Sequence, residues 1–384
     1  MEFNSIIVNI HMSEQQSLLK TILIAAGGTG GHIFPGLAVA EKLIASGCKV
    51  VWVGTVNGLE ATLIPKNNIQ IHYIKITGIR GKNLLTKILA PFNILFAIFQ
   101  AVKIIKLLNP NIILGMGGFV SGPVGIAAWL LGKQLIIHEQ NAVAGSSNRI
   151  LACFANKVLE SFPNSFSNGY LNKYINKNKI VLTGLPVRAN LLGTPLPQIK
   201  NINILKILVI GGSRGAQFLN QTIPKALGSL SNIKILHQTG EKEFLSTSEL
   251  YSQNSKNNVH EIKPFIENML EAYLWADLVI CRAGASTVFE IMAIGVAAIL
   301  VPLPWAIDDH QNKNALYLVN NNAGILLKQN ETTIEKLTNL IVDLEANRQK
   351  LYNMQLAARL LYKAYESNNS ADAIIRTILK NVSC

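Results

Sequence analysis

Acidic residues are scarce in this chain. Only 22 Asp and Glu stand against 35 Lys and Arg, and charged residues of both signs make up 15%. No D-x-D occurs, so a site that brings paired carboxylates to a metal-bound diphosphate is not expected, and a metal-independent chemistry is. Cysteine is equally sparse. Cys48, Cys153, Cys281 and Cys384 lie far apart with no C-x-x-C, which argues against a zinc site or a disulfide scaffold and fits a reducing compartment. There is no Lys/Arg block and no nucleic-acid-binding motif. The net charge of +13 therefore points to an acidic membrane surface or a phosphorylated ligand rather than to nucleic acid. A G-x-x-x-x-G-K-[ST] is missing as well, which excludes a P-loop nucleotidase. Residues 1–19 carry an apolar patch (Ile6, Ile7, Val8, Ile10) without a basic flank or a small-residue cleavage site, so no secretory signal is expected. They read as a disordered extension, with Met12 a candidate start.

Apolar residues are abundant, at 49% of 384 positions, which is enough for two cores. The chain also reads twice. KTILIAAGGTGGH at 20–32 is echoed by KILVIGGSRGAQ at 206–217: an apolar run of strand length, a glycine-rich turn, then a helical pattern. Lys49–Gly54 pairs in the same way with Ile233–Gln238, Asn111–Gly118 with Asp277–Gly284, and Gln134–Asn141 with Ala297–Gln311. Strands alternating with helices at this spacing predict parallel βαβ units. Two such series predict an α/β chain of two Rossmann-like, doubly wound domains. Ligands sit beyond the carboxyl ends of such strands, so the two domains are expected to pool their loops in one central cleft. The expected division is the extension 1–19, a first domain 20–186 joined by a C-terminal helix 366–384, and a second domain 187–365.

The glycine turns Gly27-Gly28-Thr29-Gly30-Gly31 and Gly211-Gly212-Ser213-Arg214-Gly215 each open a helix, where backbone N–H groups can approach an oxyanion. One such turn is as readily ligand-free; two in register favour phosphate binding. Neither is a dinucleotide fingerprint. The first reaches Ile33 where a third glycine belongs, and the second strand ends at Gly54-Thr55 without an acidic residue for an adenosine ribose. His32 follows the first turn directly, and His138 and Glu139 occupy another strand end. The candidates for a general base are Glu139 and His32, then Asp308 or Asp309, whose plainer reading is a solvated loop. Without a metal, a leaving diphosphate would rely on a helix N-terminus, backbone N–H groups and a basic side chain such as Arg188.

Residues 78–106 combine an apolar run from Ile88 to Ile105 with Arg80, Lys82, Lys87, Lys103 and Lys106. Pro91, Asn93, Gln100 and Lys103 interrupt the run, so a transmembrane helix is not expected. A helix with one face in the first core and another on anionic headgroups is.

GGTGGHIFPGLAVA, ITGIRGK, LGMGGFVSGP, HEQN, TGLPVR, GGSRGAQFLN, CRAGASTVFE and DDHQNKNA occur in this order and span most of residues 21–315. At these motifs the chain closely resembles the MurG family of N-acetylglucosaminyltransferases of peptidoglycan synthesis. The resemblance implies a GT-B fold and an inverting transfer with no cofactor. The donor would be UDP-N-acetylglucosamine, bound by the second domain, and the acceptor the undecaprenyl-linked lipid I, bound by the first. It also implies peripheral attachment to the cytoplasmic face of the bacterial inner membrane, with other cell-wall and division proteins as partners and no nucleic acid.

Substrate-binding positions carry over as Thr29, Gly30 and Gly31 of the first turn, Asn141 ending HEQN, Arg188 ending LPVR, and Ser213 at the donor diphosphate. Ile266 matches the residue whose backbone reads uracil, and Glu290 the carboxylate that holds the ribose hydroxyls. Ala285, Ser286, Thr287, Val288 and Phe289 form the turn before it, and Gln311 would bind sugar hydroxyls. His32 and Glu139 match acceptor-side residues and are the catalytic candidates. The chain departs from the pattern at Phe289, where a small residue is commoner, at His310, where a second glutamine occurs, and at Asn93, where arginine occurs. The rival readings are another GT-B glycosyltransferase, a UDP-GlcNAc 2-epimerase of the same two-domain plan, or a binding protein that performs no chemistry.

Overall fold

The computed structural model describes residues 20–78, 84–167, 170–198, 204–212, 215–228, 230–255, 260–366 and 370–382. The expected disordered extension 1–19, together with Arg80, Lys82 and Ser213, lies outside the described residues. By its internal contacts the chain forms two compact units, one of residues 1–140, 144–186 and 368–384, the other of 141–143 and 187–367.

In the first unit seven strands form one sheet: β1 (Thr21–Ala25), β2 (Lys49–Gly54), β3 (Gln70–Tyr73), β4 (Ile112–Gly115), β5 (Gln134–Glu139), β6 (Lys157–Glu160) and β7 (Ile180–Leu182). Their order is β3-β2-β1-β4-β5-β6-β7 and each pairing is parallel. A parallel sheet is covered on both faces, so its central strands are apolar throughout. β1 shows how the faces divide, because successive side chains point to opposite sides. Ile22 and Ile24 enter a core shared with α1 (Gly30–Ala45), whereas Leu23 and Ala25 enter one shared with α3 (Leu84–Leu108), α4 (Gly118–Leu130) and α5 (Ser146–Phe154). The short α2 (Glu60–Lys66) follows β2. The final helix, α13 (Ser370–Val382), belongs to this unit. Its Ile374, Ile375 and Ile378 join the α1 core, and Asp372 pairs with Lys42 of α1.

α3 runs unbroken through Pro91, Asn93, Gln100 and Lys103, the residues expected to interrupt it. Over Ile88–Leu108 it is long and apolar enough to cross a membrane. Its faces nevertheless have different surroundings. Ala97, Ala101 and Ile105 are buried in the core, while Phe92, Leu95, Phe96 and Phe99 are exposed, Phe92 to 69%. A helix built into a core on one side and apolar on the other has no polar face, which explains its lack of amphipathicity.

The second unit repeats the plan. β8 (Leu205–Ile210), β9 (Ile233–Gln238), β10 (Glu261–Lys263), β11 (Leu278–Cys281), β12 (Ala297–Leu300) and β13 (Ile325–Leu326) are parallel in the order β10-β9-β8-β11-β12-β13. This is the doubly wound order of the first six strands of the first sheet. Each echoed sequence pair takes an equivalent place, β1 with β8, β2 with β9, β4 with β11 and β5 with β12. Seven helices surround this sheet or extend from it: α6 (Gln217–Leu227), α7 (Phe244–Asn254), α8 (Met269–Trp275), α9 (Ala285–Ile294), α10 (His310–Val319), α11 (Ile334–Ala346) and α12 (Arg348–Glu366).

A buried polar network closes the carboxyl end of β9. His237 is inaccessible, and its ring bridges Asn220 Oδ1 (3.1 Å) and the Tyr251 hydroxyl (3.0 Å). Asn220 in turn donates to the Thr239 carbonyl and to Glu243. The second glycine turn packs on that same carbonyl. Gly215 has φ +74°, and a Cβ there would lie 1.7 Å from Thr239 O, so only glycine fits.

Burial holds His237 at about pKa 3 and His138, in the first unit, at about 4, both below the ordinary 6.5. Unfolding lets each ring take up a proton below pH 6.5. The unfolded chain then binds more protons, and stability falls as pH drops from 6.5 toward the folded values, by at most ~1.4 kcal/mol per pH unit per ring. Replacing His237 with Gln should therefore flatten the pH dependence of urea stability between pH 6.5 and 5, and equal slopes in the two proteins would refute this. Separately, Ile374→Ala should destabilise the first unit by about 2–5 kcal/mol. Unfolding followed by tryptophan fluorescence, with Trp52 reporting on the first unit, checks this.

Candidate functional site

In the first unit the chemistry gathers at the carboxyl ends of β1, β4 and β5. Gly28 has φ +99°, and Thr29 caps α1 through its backbone without a side-chain bond. Its carbonyl accepts from the N–H groups of His32 and Ile33. The first turn of α1 carries no acidic residue, so its N-terminal N–H groups and dipole suit an anion or a polar oxygen. The turn is held from behind by Glu60, which is fully buried. Its carboxylate accepts from Thr55 N (2.9 Å), Thr55 Oγ1 (2.7 Å) and Gly28 N (3.3 Å).

His32 is half-buried and meets Gln140 Oε1 through Nδ1 at 3.0 Å. Gln140 is buried, and its Nε2 reaches the Met116 carbonyl at 2.9 Å and His138 Nδ1 at 3.0 Å. His138 Nε2 lies 3.1 Å from the Gly184 carbonyl. Burial is the main cause of the low pKa of His138, partly offset by the Gly184 bond and reinforced by His32.

Glu139 ends β5. It is 2% exposed, and its Oε2 accepts from Gly145 N (3.0 Å) and Asn148 Nδ2 (2.8 Å). A carboxylate engaged in these bonds braces the loop between β5 and α5. Asp308 and Asp309 are exposed and both take positive φ, of 53° and 56°. They form the solvated turn before α10, and Asp309 accepts from Asn312 (2.9 Å).

In the second unit Glu290 of α9 is buried, with two partners. Arg188 Nε lies 3.2 Å from Oε1, and the Tyr273 hydroxyl donates to Oε2 at 3.0 Å. Burial raises the Glu290 pKa, while Arg188 and Tyr273 oppose the rise. The N-terminus of α9, at Ala285, Ser286 and Thr287, has no side-chain cap and no acidic residue in its first turn. The Ser286 hydroxyl is buried without a hydrogen-bond partner among the described residues. Val288 and Phe289 face inward, and the Phe289 ring packs edge-on to Tyr365 at 5.3 Å. A buried aromatic contact of this kind accommodates a bulky side chain where a small one is commoner.

Ile266 and Gln311 are each held by one polar group. The Ile266 N–H donates to Gln238 Oε1 (2.9 Å), so its backbone can offer a ligand the carbonyl. Gln238 also donates to the Gly212 carbonyl (3.0 Å), linking this position to the second glycine turn. Gln311 Oε1 accepts from Leu303 N (2.9 Å), which leaves its amide as the donor group. Asn141 counts with this unit, where its Oδ1 accepts from Asn314 Nδ2 (3.2 Å).

Sequence reasoning passed over Glu60, Gln140, Asn148, Tyr273, Gln238 and Asn314. Gln140 and Asn314 stand inside the quoted motifs HEQN and DDHQNKNA, and a neutral amide attracts no notice in a search for acids and bases. Tyr273 and Glu60 carry no local pattern at all, and only the fold brings them to Glu290 and to Gly28.

Residues 22–160 match the glycosyltransferase family 28 N-terminal domain and residues 206–374 its C-terminal domain. A curated protein of Pseudoalteromonas atlantica is 46% identical over 351 residues, covering 90% of this chain and 92% of its own. It is named UDP-N-acetylglucosamine–N-acetylmuramyl-(pentapeptide) pyrophosphoryl-undecaprenol N-acetylglucosamine transferase. A protein of the same name from Cellvibrio japonicus is 47% identical over 348 residues, covering 89% of this chain and 94% of its own. The crystal structure of Acinetobacter baumannii MurG is 40% identical, with a TM-score of 0.77 over 94% of this chain and 99% of that one. With the likeness running through both parallel-sheet units, the chain has the GT-B fold and belongs to the MurG family of N-acetylglucosaminyltransferases, within glycosyltransferase family 28.

Proposed function

We propose that this chain transfers N-acetylglucosamine from UDP-N-acetylglucosamine to a hydroxyl of undecaprenyl-diphospho-N-acetylmuramoyl-pentapeptide, converting lipid I to lipid II with inversion. The observation that carries the reading is near-full-length similarity to transferases of that name. The second unit supplies a fitting donor site. Glu290, steadied by Tyr273, would accept the ribose hydroxyls, and the Ile266 carbonyl would accept from the uracil N3–H. The N-terminus of α9, with Ala285 to Phe289 and the Ser286 hydroxyl, suits the diphosphate. Ser213 has the same role in this reading. Gln311 would donate to sugar hydroxyls, and Asn141 would add a polar contact. Arg188 pairs with Glu290. In the proposed cycle its guanidinium turns to the diphosphate as negative charge builds on the leaving UDP, with no metal needed.

The first unit would present the acceptor. Its hydroxyl, positioned at the Thr29–Gly30–Gly31 turn, attacks the anomeric carbon from the face opposite UDP. The new C–O bond forms as the bond to UDP breaks, and the hydroxyl proton passes to His32. Glu139 acts as a brace. His32→Ala should lower kcat by ~10²–10⁴-fold and leave the KM for donor within a few-fold. UDP release should require a short-chain lipid I analogue and survive EDTA. Donor consumption without acceptor would replace transfer by epimerisation or hydrolysis, and unchanged turnover in His32→Ala would remove the base.

The same reading places the chain peripherally on the cytoplasmic face of the inner membrane. Support comes from α3, whose exposed Phe92, Leu95, Phe96 and Phe99 stand beside exposed Lys103 and Lys106, with the Lys103 ammonium 4.5 Å from the Phe99 ring centre. Phe92→Ser combined with Phe96→Ser should reduce co-sedimentation with anionic vesicles at least tenfold, with turnover on a water-soluble acceptor unchanged. Equal vesicle binding by the variant and the parent would refute this attachment.

A further inference from the structure

We propose that Gln140, held by His138 and the Met116 carbonyl, is a positioning residue that keeps His32 as its Nδ1–H tautomer and so presents His32 Nε2 as the proton acceptor. The inference deepens the reading of His32 as the base and rests on it.

The hydrogen bonds run in one direction only, starting from two main-chain carbonyls. A carbonyl oxygen can only accept, so Gly184 O, 3.1 Å from His138 Nε2, requires the proton on that nitrogen. His138 is fully buried and its low pKa keeps the ring neutral, which leaves a lone pair on Nδ1. Gln140 Nε2 lies 3.0 Å from that nitrogen and 2.9 Å from Met116 O, an obligate acceptor. The His138 carbonyl is also 3.3 Å from Nε2, so three acceptors hold the nitrogen on this side, and the amide cannot turn over without setting its oxygen against them. Gln140 Oε1 then faces His32 Nδ1 at 3.0 Å and can only accept, so the His32 proton resides on Nδ1. The neutral ring carries its lone pair on Nε2.

The surroundings keep the ring in that orientation. A Cβ on Gly117 would lie 2.8 Å from His32 Nδ1, and one on Gly118 would lie 3.4 Å from His32 Cδ2 and 2.3 Å from Gly27 O. Backbone therefore lies against the Nδ1 and Cδ2 edges. A flipped ring would set Cδ2 against Gln140 Oε1 and forfeit the bond. An amide suits this task better than a carboxylate. In the transfer the acceptor's proton moves to Nε2, and the resulting imidazolium keeps Nδ1–H on Gln140. A carboxylate partner would raise the proton affinity of the resting ring; a neutral amide sets the tautomer without that effect.

The test is long-range ¹H–¹⁵N NMR of the full chain labelled at histidine, recorded at pH 8, with the His32 signals assigned from their loss in His32→Gln. The expected spectrum shows His32 protonated on Nδ1 and His138 on Nε2. In Gln140→Met, which keeps the side-chain length, His32 should become a mixture containing Nε2–H. Its kcat should fall roughly tenfold, short of the ~10²–10⁴ for a lost base, while the KM for UDP-N-acetylglucosamine stays within twofold. Protonation of His32 on Nε2 in the parent protein would overturn the proposal, whether or not the variant folds. So would a Gln140→Met protein with unchanged tautomer and unchanged kcat. Full turnover in His32→Ala alongside the expected tautomers would instead refute the base reading and leave the Gln140 assignment standing.

Discussion

At the carboxyl edge of a parallel sheet the ladder of backbone hydrogen bonds stops, and each polar group beyond it needs another partner. Buried backbone groups left unpaired cost stability, so loops at such an edge must be anchored by side chains. In this protein the anchors are buried carboxylates, amides and a phenol. Glu60 holds the first glycine turn, Glu139 and Asn148 the loop after β5, Gln140 the ends of β4 and β5, Asn220 and Gln238 the loops around β8 and β9, and Tyr273 the carboxylate of Glu290. These bonds use up the interior side of each loop. The helix N-termini at α1 and α9 have no side-chain cap.

The same constraint gives similar residues different surroundings. Glu139 and Glu290 both end up buried beside strand ends. Glu139 commits its oxygen to a backbone N–H and an amide, whereas Glu290 is matched with the half-exposed Arg188 and the buried Tyr273 hydroxyl. His138 and His32 differ in the same way. The first is sealed and kept neutral between Gly184 and Gln140; the second stands at the mouth of the turn with one nitrogen anchored.

The apolar helix α3 shows the limit of composition as a guide. Apolar residues stand on both its sides, Ala97, Ala101 and Ile105 in the core and Phe92, Leu95, Phe96 and Phe99 outside it. Pro91 and Lys103, which read as interruptions in the run, are accommodated on the exposed side, away from the core. A one-dimensional pattern averages over the two faces and cannot separate them.

Much of the fold was legible because its cause is local and repeated. A βα unit with a glycine turn must write an apolar run, small residues and a helix in that order, and a chain that does so twice announces two sheets of the same winding. The pairs β1 with β8 and β4 with β11 could be aligned by eye for that reason. The short edge strands β3, β10 and β13 left no such mark, since partial exposure dilutes their apolar pattern. Of the candidate site, the residues that sequence reasoning could name stand in contiguous motifs, among them His32, Glu290 and Gln311. The sequence by itself determined the two doubly wound units and the glycine turns that open their first helices. Only the tertiary structure decided which partners the buried polar groups meet: Gly145 and Asn148 for Glu139, Arg188 and Tyr273 for Glu290, and Gln140 for His32. Those outcomes depend on hydrogen bonds between residues as far apart as 32 and 140 or 188 and 290, and no local pattern encodes a partner at that distance.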